Sequence, residues 1–187
     1  MDKSLSEMSN EELWQLFPII ISEHKDYWKK YYAEEYVNLQ DALKGDIIRI
    51  NHIGSTAIPN LVAKPTIDIL LEIKDNTDIN NLIDILRFMR YIYSFQPSKP
   101  PPHMMYMKGY TPQGFEERVY HLHVRYSGDW DELYFRDYLL TYPDVAREYG
   151  MLKLKLQEIY KHDRDGYTQA KSDFIKEVTN RARKELI

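Results

Sequence analysis

The sequence predicts an α/β (α+β) protein in which a mixed sheet is flanked by helices and followed by a helical C-terminal segment. Two stretches, residues 47–50 and 66–73, are rich in β-branched and aliphatic residues, as strands are. Helical spacing of apolar residues precedes and follows them, and after residue 128 it continues to the end of the chain. Mixed helices and strands followed by helices alone favour a sheet with a helical segment packed beside it.

Length and composition restrict the class of protein. A chain of 187 residues suits a single domain over residues 1–187, with a core at about 18–126 and the helical segment at about 129–187. The formal net charge of −4 makes a nucleic-acid partner unlikely on electrostatic grounds. The sequence has no cysteine and no apolar run that could span a bilayer. We therefore expect a cytoplasmic protein without a membrane partner.

The N-terminal half begins with helical signals. Ser9 and Glu12 form a capping box for a short helix that ends at Pro18. Residues 19–21 are a candidate strand, and a helix over about 25–43 ends at Gly45. After the two apolar stretches, residues 77–91 have the apolar stripe of another helix.

The second half continues with strands and then with helices. Residues 96–107 contain four prolines and predict an extended loop, which either covers a cleft or simply connects two elements. Residues 104–110 and 117–126 then predict two strands joined by a turn at residues 112–114. Asp129 is a candidate cap for the next helix, Pro143 suits the first turn of another, and Gly166 separates the last helix.

A turn of small residues connects the two apolar stretches. Gly54 allows a ligand to approach the backbone, and the N–H groups and hydroxyls of Ser55 and Thr56 can point at phosphate oxygens. Asp68 lies inside the following strand. Because a buried carboxylate needs a cation or a strong hydrogen-bond donor, Asp68 predicts a partner close by.

These residues resemble a known signature. A Gly-Ser turn followed by an acidic residue within a strand is similar to the nucleotidyltransferase motif, which has a Gly-Ser turn and then two acidic residues spaced by one. The fuller pattern resembles the GrpB family, a nucleotidyltransferase-like group; it comprises Gly54-Ser55-Thr56, Pro59, Leu61, residues 63–65 and 67–69, residues 121–124 and 135–139, Tyr167 and Lys171. The resemblance covers nearly the whole chain. It implies a nucleotidyltransferase-like sheet, with nucleotide binding and nucleotidyl transfer as the expected activity.

The sequence departs from that motif at its second acidic position, where Leu70 stands. Glu72 is on the same strand face as Asp68, but four residues along a strand is roughly 13 Å, too far to share one ion. His121 and His123 offer a substitute, because residues two apart on a strand share a face. Asp68, His121 and His123 are therefore our candidate catalytic residues and metal ligands.

Two interpretations of the histidine pair stay open. With Asp68 the imidazoles form a normal ligand set for a divalent metal, either Mg²⁺ or Mn²⁺ or a transition metal. Alternatively, both imidazoles hydrogen-bond to neighbours such as Asp68 or tyrosines and bind no metal. In a related version, Asp68 orients a histidine that acts as a general base.

Phosphate binding also requires cations. Lys64 lies at the entry to the strand that carries Asp68. Arg136, Lys153 and Lys171 each adjoin or interrupt an apolar helix stripe. Each of these three cations therefore either extends to solvent or points into a cleft. The candidate phosphate- or nucleotide-binding residues are Gly54, Ser55, Thr56, Lys64, Arg136, Lys153, Lys171 and Tyr167. Tyr167 can stack on a base, although simple packing is the commoner role of such a ring.

Taken together, these residues predict a nucleotidyltransferase-like protein that binds a nucleoside triphosphate or another phosphorylated small molecule with a divalent metal. The acceptor is not specified by the sequence. One alternative is a nucleotide-binding module without catalysis, because Leu70 replaces the second acid. The other is a metal-dependent enzyme of a different class, built on the His121/His123 pair.

Overall fold

Strands in the described part of the chain form one five-stranded sheet in the order β1-β2-β5-β4-β3. The structure is a computed structural model that describes residues 3–94, 96, 99 and 102–185. The strands are β1 (Ile47–Ile53), β2 (Ile67–Ile73), β3 (Ile92–Ser94), β4 (Met104–Thr111) and β5 (Gly114–Tyr126). Only the β2–β5 pair is parallel among these strands, and the other neighbours are antiparallel. The sheet is therefore mixed, as the sequence predicts.

Helices precede, interrupt and follow this sheet. They are α1 (Asn10–Leu16), α2 (Tyr27–Leu43), α3 (Ile79–Phe88), α4 (Asp131–Thr141), α5 (Pro143–Tyr160), α6 (Arg164–Ala170) and α7 (Ser172–Glu185). Short 3-10 turns span Leu5–Glu7, Lys44–Asp46 and Ser55–Ala57. The four helices after β5 form the predicted helical C-terminal segment, which confirms the α/β fold class. No helix in the described residues combines the length and the apolar character needed to cross a membrane.

Local sequence signals account for several helix starts. The Ser9 hydroxyl accepts the N–H of Glu12, whose carboxylate accepts the N–H of Ser9 at 2.9 Å, so the predicted capping box begins α1. Asp78 accepts two backbone N–H groups at the start of α3. Pro143 occupies the first turn of α5, where its missing N–H is not needed.

The two faces of β2 have different surroundings. Alternate residues such as Ile69 and Leu71 are fully buried in a core with Trp28 and Leu39 of α2 and with Leu82 of α3. The opposite face carries Asp68, Leu70 and Glu72, because side chains alternate along a strand. A second apolar cluster joins residues 58–61 to helices α4, α5 and α7. This arrangement places the C-terminal helices beside the end of β1 and the turn that follows it.

Residues 19–21 are not a strand, contrary to the sequence prediction. The Ile19 N–H donates to the Lys161 carbonyl at 2.7 Å, and the Ile21 N–H donates to the Gln157 side chain. Their backbone groups are therefore satisfied by the end of α5 rather than by the sheet. Ser22 alone in this segment forms an isolated bridge, with Ala63.

Three further details differ from the sequence predictions. Asp129 does not cap α4, since Trp130 is the N-cap and the Asp129 carboxylate binds Arg183 at 2.6 Å. Gly166 lies within α6, and the last helix begins at Ser172. Strand β3 was not predicted. Pro97, Pro100 and Pro101 of the predicted loop lie outside the described residues, so that loop stays a prediction, as does the single-domain assignment.

Candidate functional site

Asp68 and the two candidate histidines lie on one face of the sheet. In the parallel pairing of β2 with β5, Asp68 is opposite His121 and Leu70 is opposite His123. The Asp68 Oδ1 atom lies 3.3 Å from His121 Nδ1 and 3.5 Å from His123 Nε2. The two strands are therefore neighbours, and the acid contacts both imidazoles.

Both ring nitrogens of His121 have partners. Nε2 lies 2.7 Å from the Tyr110 hydroxyl, and Arg164 donates to the same hydroxyl at 3.1 Å. Burial lowers the pKa of His121 to about 4, although Asp68 opposes this shift, so the ring is neutral at pH 7. With one proton on the ring, Nδ1–H donates to Asp68 and Nε2 accepts from Tyr110. This is the hydrogen-bonded alternative that the sequence left open.

Asp68 is ionised in this environment. Burial raises the pKa of a carboxyl group, but hydrogen bonds from His121 and His123 outweigh burial and hold the pKa of Asp68 well below its usual range. Its side chain is still 27% exposed, so a ligand can reach the carboxylate. Asp68 therefore places one negative charge on the floor of the site.

The three predicted metal ligands converge, but the hydrogen-bonded His121 ring is not free to be the third ligand of a metal ion. His121 already uses both ring nitrogens, which leaves Asp68 and His123. Among the residues that the structure describes, no group of three or more His, Cys, Asp or Glu side chains is arranged to hold a metal ion. The divalent metal therefore stays a prediction.

The second acidic position offers no further ligand. Leu70 is fully buried, and the fully buried Glu72 carboxylate binds the Arg49 guanidinium and the Gly128 N–H at 3.1 Å. Glu72 thus joins β1, β2 and the segment after β5. Its carboxylate has a structural partner of opposite charge, so it does not serve as a second acid beside Asp68.

The turn that follows β1 is shaped by internal contacts. Lys153 donates to the Ser55 hydroxyl at 2.9 Å. The Thr56 hydroxyl donates to the Thr66 carbonyl at 3.1 Å and lies 3.0 Å from His52 Nε2. Both hydroxyls that the sequence assigns to phosphate therefore have partners within the protein.

A cavity of about 580 Å³ lies against this turn and is rich in positive charge. We call it the basic cavity. Among its described lining residues, four side chains are cations and two are acids; they are Lys64, Lys153, Arg164, Lys171, Asp68 and Asp165. Burial, together with the other cations nearby, lowers the pKa of Lys64 and of Lys153 to about 7. Burial also lowers the pKa of Lys171. The lysines therefore lie where neither water nor neighbouring acids fully stabilise their positive charges.

Aromatic rings lie beside these cations. The Lys171 ammonium lies 4.7 Å from the ring centre of Tyr167, and the Lys64 ammonium lies 5.8 Å from the same ring. Lys153 lies 4.7 Å from the ring centre of Tyr149. Tyr167 is also packed against Ile19, which fits the packing role that the sequence allowed.

Most predicted phosphate-binding residues line the basic cavity; they are Gly54, Ser55, Thr56, Lys64, Lys153, Tyr167 and Lys171. Arg136 does not line it, contrary to the sequence prediction. Its guanidinium donates to Asn51 Oδ1 at 3.2 Å and to the His52 carbonyl at 3.1 Å. Arg136 therefore connects α4 to β1, and its charge is engaged there.

Sequence reasoning missed Arg164, Tyr110 and Tyr149. Asp163 accepts the Gly166 N–H at 2.8 Å and starts α6, which brings Arg164 to the cavity. The available signal was Asp163 itself, because aspartate is a favoured N-cap residue. Tyr110 and Tyr149 have no local signal that distinguishes them from other buried tyrosines.

Comparisons with known proteins identify the family. The family model described as GrpB protein matches residues 18–181. A UPF0157 protein of Pseudomonas aeruginosa is 35% identical over 156 residues, which are 83% of this chain and 64% of that protein. The glutamate-rich protein GrpB of Alkalihalophilus pseudofirmus is 31% identical over 165 residues, covering 87% of this chain and 94% of that protein.

A solved structure agrees with this assignment. The crystal structure of conserved protein GrpB from Enterococcus faecalis has a TM-score of 0.77 and 30% identity, covering 89% of this chain and 99% of that one. The chain spans less than the full length of some relatives, with 64% of the Pseudomonas aeruginosa protein and 46% of a UPF0157 protein of Bacillus subtilis. The family match covers all five described strands and the C-terminal helices except the end of α7, so this chain belongs to the GrpB family.

Proposed function

We propose that this protein binds a phosphorylated small molecule, and specifically a nucleotide, in the basic cavity. The observation that carries the proposal is the convergence of Lys64, Lys153, Arg164 and Lys171 on one cavity beside the turn at Gly54. Buried cations are retained against their desolvation cost when they have an anionic partner. A polyanion is the ligand that these four side chains would recognise.

The pKa values of the lysines support an anionic ligand. Two ammonium groups with a pKa of about 7 lose much of their charge near neutral pH, because burial and repulsion by neighbouring cations favour the neutral amine. A bound phosphate would restore the charged form by supplying the missing counter-charge. Perturbed values of this kind concentrate at functional sites.

A nucleotide is favoured over inorganic phosphate by the size and lining of the cavity. About 580 Å³ exceeds what a single phosphate fills, and the rings of Tyr149 and Tyr167 offer apolar surface beside the cations. The resemblance to nucleotidyltransferases agrees with this ligand class. Mg²⁺ or Mn²⁺ belongs to the proposal as the cation that accompanies a triphosphate.

The proposed reaction is nucleotidyl transfer. An acceptor oxygen would attack the α-phosphorus, and the bond from phosphorus to the pyrophosphate oxygen would break with its electron pair staying on pyrophosphate. His123 would take the proton of the acceptor, while the ionised Asp68 would orient the ring. A binding module without catalysis is the second candidate, favoured by Leu70 at the second acidic position. A metal-dependent enzyme of another class, built on the His121/His123 pair, is the third, and it would require His121 to exchange Tyr110 or Asp68 for the metal ion.

Isothermal titration with ATP, GTP, CTP and UTP, with and without Mg²⁺ or Mn²⁺, tests the proposal. We expect binding to at least one nucleotide, and Lys171→Met should weaken it about tenfold or more. Lys155→Met is the matched control, since Lys155 is exposed on the same C-terminal segment. Asp68→Asn should abolish any metal-dependent part of the binding.

The outcomes separate the candidate functions. Binding with release of pyrophosphate supports the transferase, and binding without turnover supports the module. Metal bound without nucleotide affinity supports the third candidate. If neither nucleotides nor metal ions bind, or if Lys171→Met binds nucleotide as the wild type does, the basic cavity is not the nucleotide site.

A further inference from the structure

A second cavity of about 570 Å³ adjoins the basic cavity. Among the described residues, the two cavities have five in common: Gly54, Ser55, Asp68, His123 and Tyr149. The His123 side chain is 21% exposed, so its ring is accessible to a ligand. The candidate general base of the proposed reaction therefore lies on the boundary between two separate volumes, which we call the basic cavity and the adjoining cavity.

The adjoining cavity has a different chemical lining. Ile53, Trp130, Phe135 and Ile175 supply apolar surface. Phe135 packs edge-on against Tyr149 with ring centres 5.3 Å apart, and the Trp130 indole N–H donates to the Tyr126 carbonyl at 3.1 Å. These contacts orient both rings, which offer apolar surface to a ligand.

The charge of the adjoining cavity is also opposite in sign. Within the described lining, the acids are Asp68, Asp129, Asp131 and Glu132, whereas the cations are Lys99 and Arg183. Arg183 is already bound to Asp129 at 2.6 Å and to Asp131 at 2.7 Å, and Glu132 lies 3.5 Å from Arg125. The cationic side chains of the basic cavity do not reach this lining. Acids therefore outnumber cations four to two in this described lining, so a neutral or cationic ligand suits it better than an anionic one.

We propose that the adjoining cavity binds the acceptor substrate, a small compound with an aromatic or apolar body and a neutral or positively charged polar end. Its hydroxyl group would reach His123 from the side opposite the bound nucleotide. The assignment as acceptor rests on the proposed nucleotide binding in the basic cavity. The shared wall at Asp68 and His123 is what would bring the two reacting groups together.

Tyramine is a suitable probe, because it has an aromatic body, a hydroxyl group and a primary ammonium group. Its matched control is 4-hydroxyphenylacetate, in which a carboxylate replaces the aminomethyl end. We would follow the indole N–H signal of Trp130 by ¹⁵N NMR, with the assignment made from Trp130→Phe. Tyramine should shift this signal in a saturable way, and 4-hydroxyphenylacetate should shift it at least tenfold less effectively.

Filling the cavity provides the second test. Ile175→Phe places a larger side chain in the lining and should weaken tyramine binding about tenfold or more. Ile159→Phe is the matched control, because Ile159 is 69% exposed on α5, and it should bind tyramine within twofold of the wild type. If Ile175→Phe disturbs the fold, intermolecular NOEs between tyramine and the Trp130 ring in the wild type make the same test.

The results also distinguish this proposal from the nucleotide proposal. ATP affinity measured by calorimetry should be unchanged in Ile175→Phe, since Ile175 does not line the basic cavity. Tyramine binding without any ATP binding would retain the adjoining site and remove its acceptor role. A Trp130 signal that tyramine does not move, that both probes move equally, or that shifts normally in Ile175→Phe would overturn the adjoining site itself.

Discussion

The backbone of Gly54 lies directly against the carboxylate of Asp68. A Cβ atom placed at Gly54 would overlap the Asp68 carboxylate and lie 3.0 Å from the Asp68 Cβ. Gly54 also has φ +68° and ψ −172°, a conformation that is essentially restricted to glycine. The glycine of the Gly-Ser turn is thus required by the acid that follows it on β2, whatever ligand the turn binds.

Gly54→Ala should destabilise the protein by about 2–4 kcal/mol, because backbone strain and the overlap with Asp68 add together. The measurement is the free energy of unfolding from urea titration. Gly45→Ala is the matched control, since a Cβ at Gly45 meets no atom within 4 Å. Equal stability of the two variants would show that the close approach of Gly54 to Asp68 is not present in solution.

Tyr110→Phe should destabilise the protein by about 1–2 kcal/mol, because Nε2 of the buried His121 loses its hydrogen-bond donor. The structure also predicts a tautomer: ¹⁵N NMR of the imidazole should show the proton of His121 on Nδ1, facing Asp68. Tyr142→Phe, at an exposed ring, is the control for the loss of a hydroxyl group. A proton on Nε2 of His121 in the wild type would contradict the proposed Tyr110–His121–Asp68 arrangement.

Acid should weaken the folded state through the same histidine. The pKa of His121 is lowered from 6.5 to about 4 in the folded protein. Between these two pH values the unfolded chain binds a proton at His121 and the folded chain does not. The free energy of unfolding should therefore fall as the pH falls from about 6.5 to 4. His121→Gln should flatten this part of the pH profile of stability, and an unchanged slope would argue against a buried neutral His121.

Much of the sheet could be predicted from the sequence, because alternation and capping are local signals. The strands that carry Asp68 and His121 follow from β-branched runs, and the turn between Thr111 and Gly114 follows from its residues. Residues 19–21 show the limit of this reasoning. Their composition favours a strand, but whether a segment joins a sheet depends on which backbone groups lie beside it, and here these belong to the end of α5.

Two arginines also show that local sequence does not determine tertiary contacts. Arg136 and Arg164 look alike in sequence, since each is an arginine on a helix near apolar or acidic neighbours. The first connects α4 to β1, whereas the second reaches the basic cavity and Tyr110. Which way a long side chain points depends on how its helix packs, and that packing is set by contacts far away in the sequence.

Lys64→Met should stabilise the protein at pH 7, because it removes a partly buried cation that has no counter-ion contact in the described residues. The pKa of Lys64 is lowered from 10.5 to about 7, so the unfolded chain binds a proton that the folded chain releases between these values. The free energy of unfolding of the wild type should therefore rise with pH above 7. We expect a gain of about 1–3 kcal/mol at pH 7 for the variant and a flatter profile between pH 7 and 9.

Lys155→Met is the control for that experiment, and its stability should stay within about 0.5 kcal/mol of the wild type, as is usual for exposed sites. Lys64→Met should at the same time lose affinity for nucleotide. A variant that is more stable but binds less would identify Lys64 as a residue kept for binding. Lower stability of Lys64→Met at pH 7 would instead show that the lysine is well compensated in the folded protein.

Anion binding should be coupled to proton uptake, because a bound anion raises the lowered pKa values of Lys64 and Lys153. Sulfate is the clean probe, since it stays a dianion from pH 6 to 9. At pH 8, calorimetry in buffers of different ionisation enthalpy should show net uptake of up to about one proton per lysine. Lys153→Met should reduce that uptake.

Affinity for sulfate should fall several-fold between pH 6.5 and 8.5, as the free lysines lose their protons. Binding that is independent of pH and of the buffer would mean that the anion does not contact these lysines.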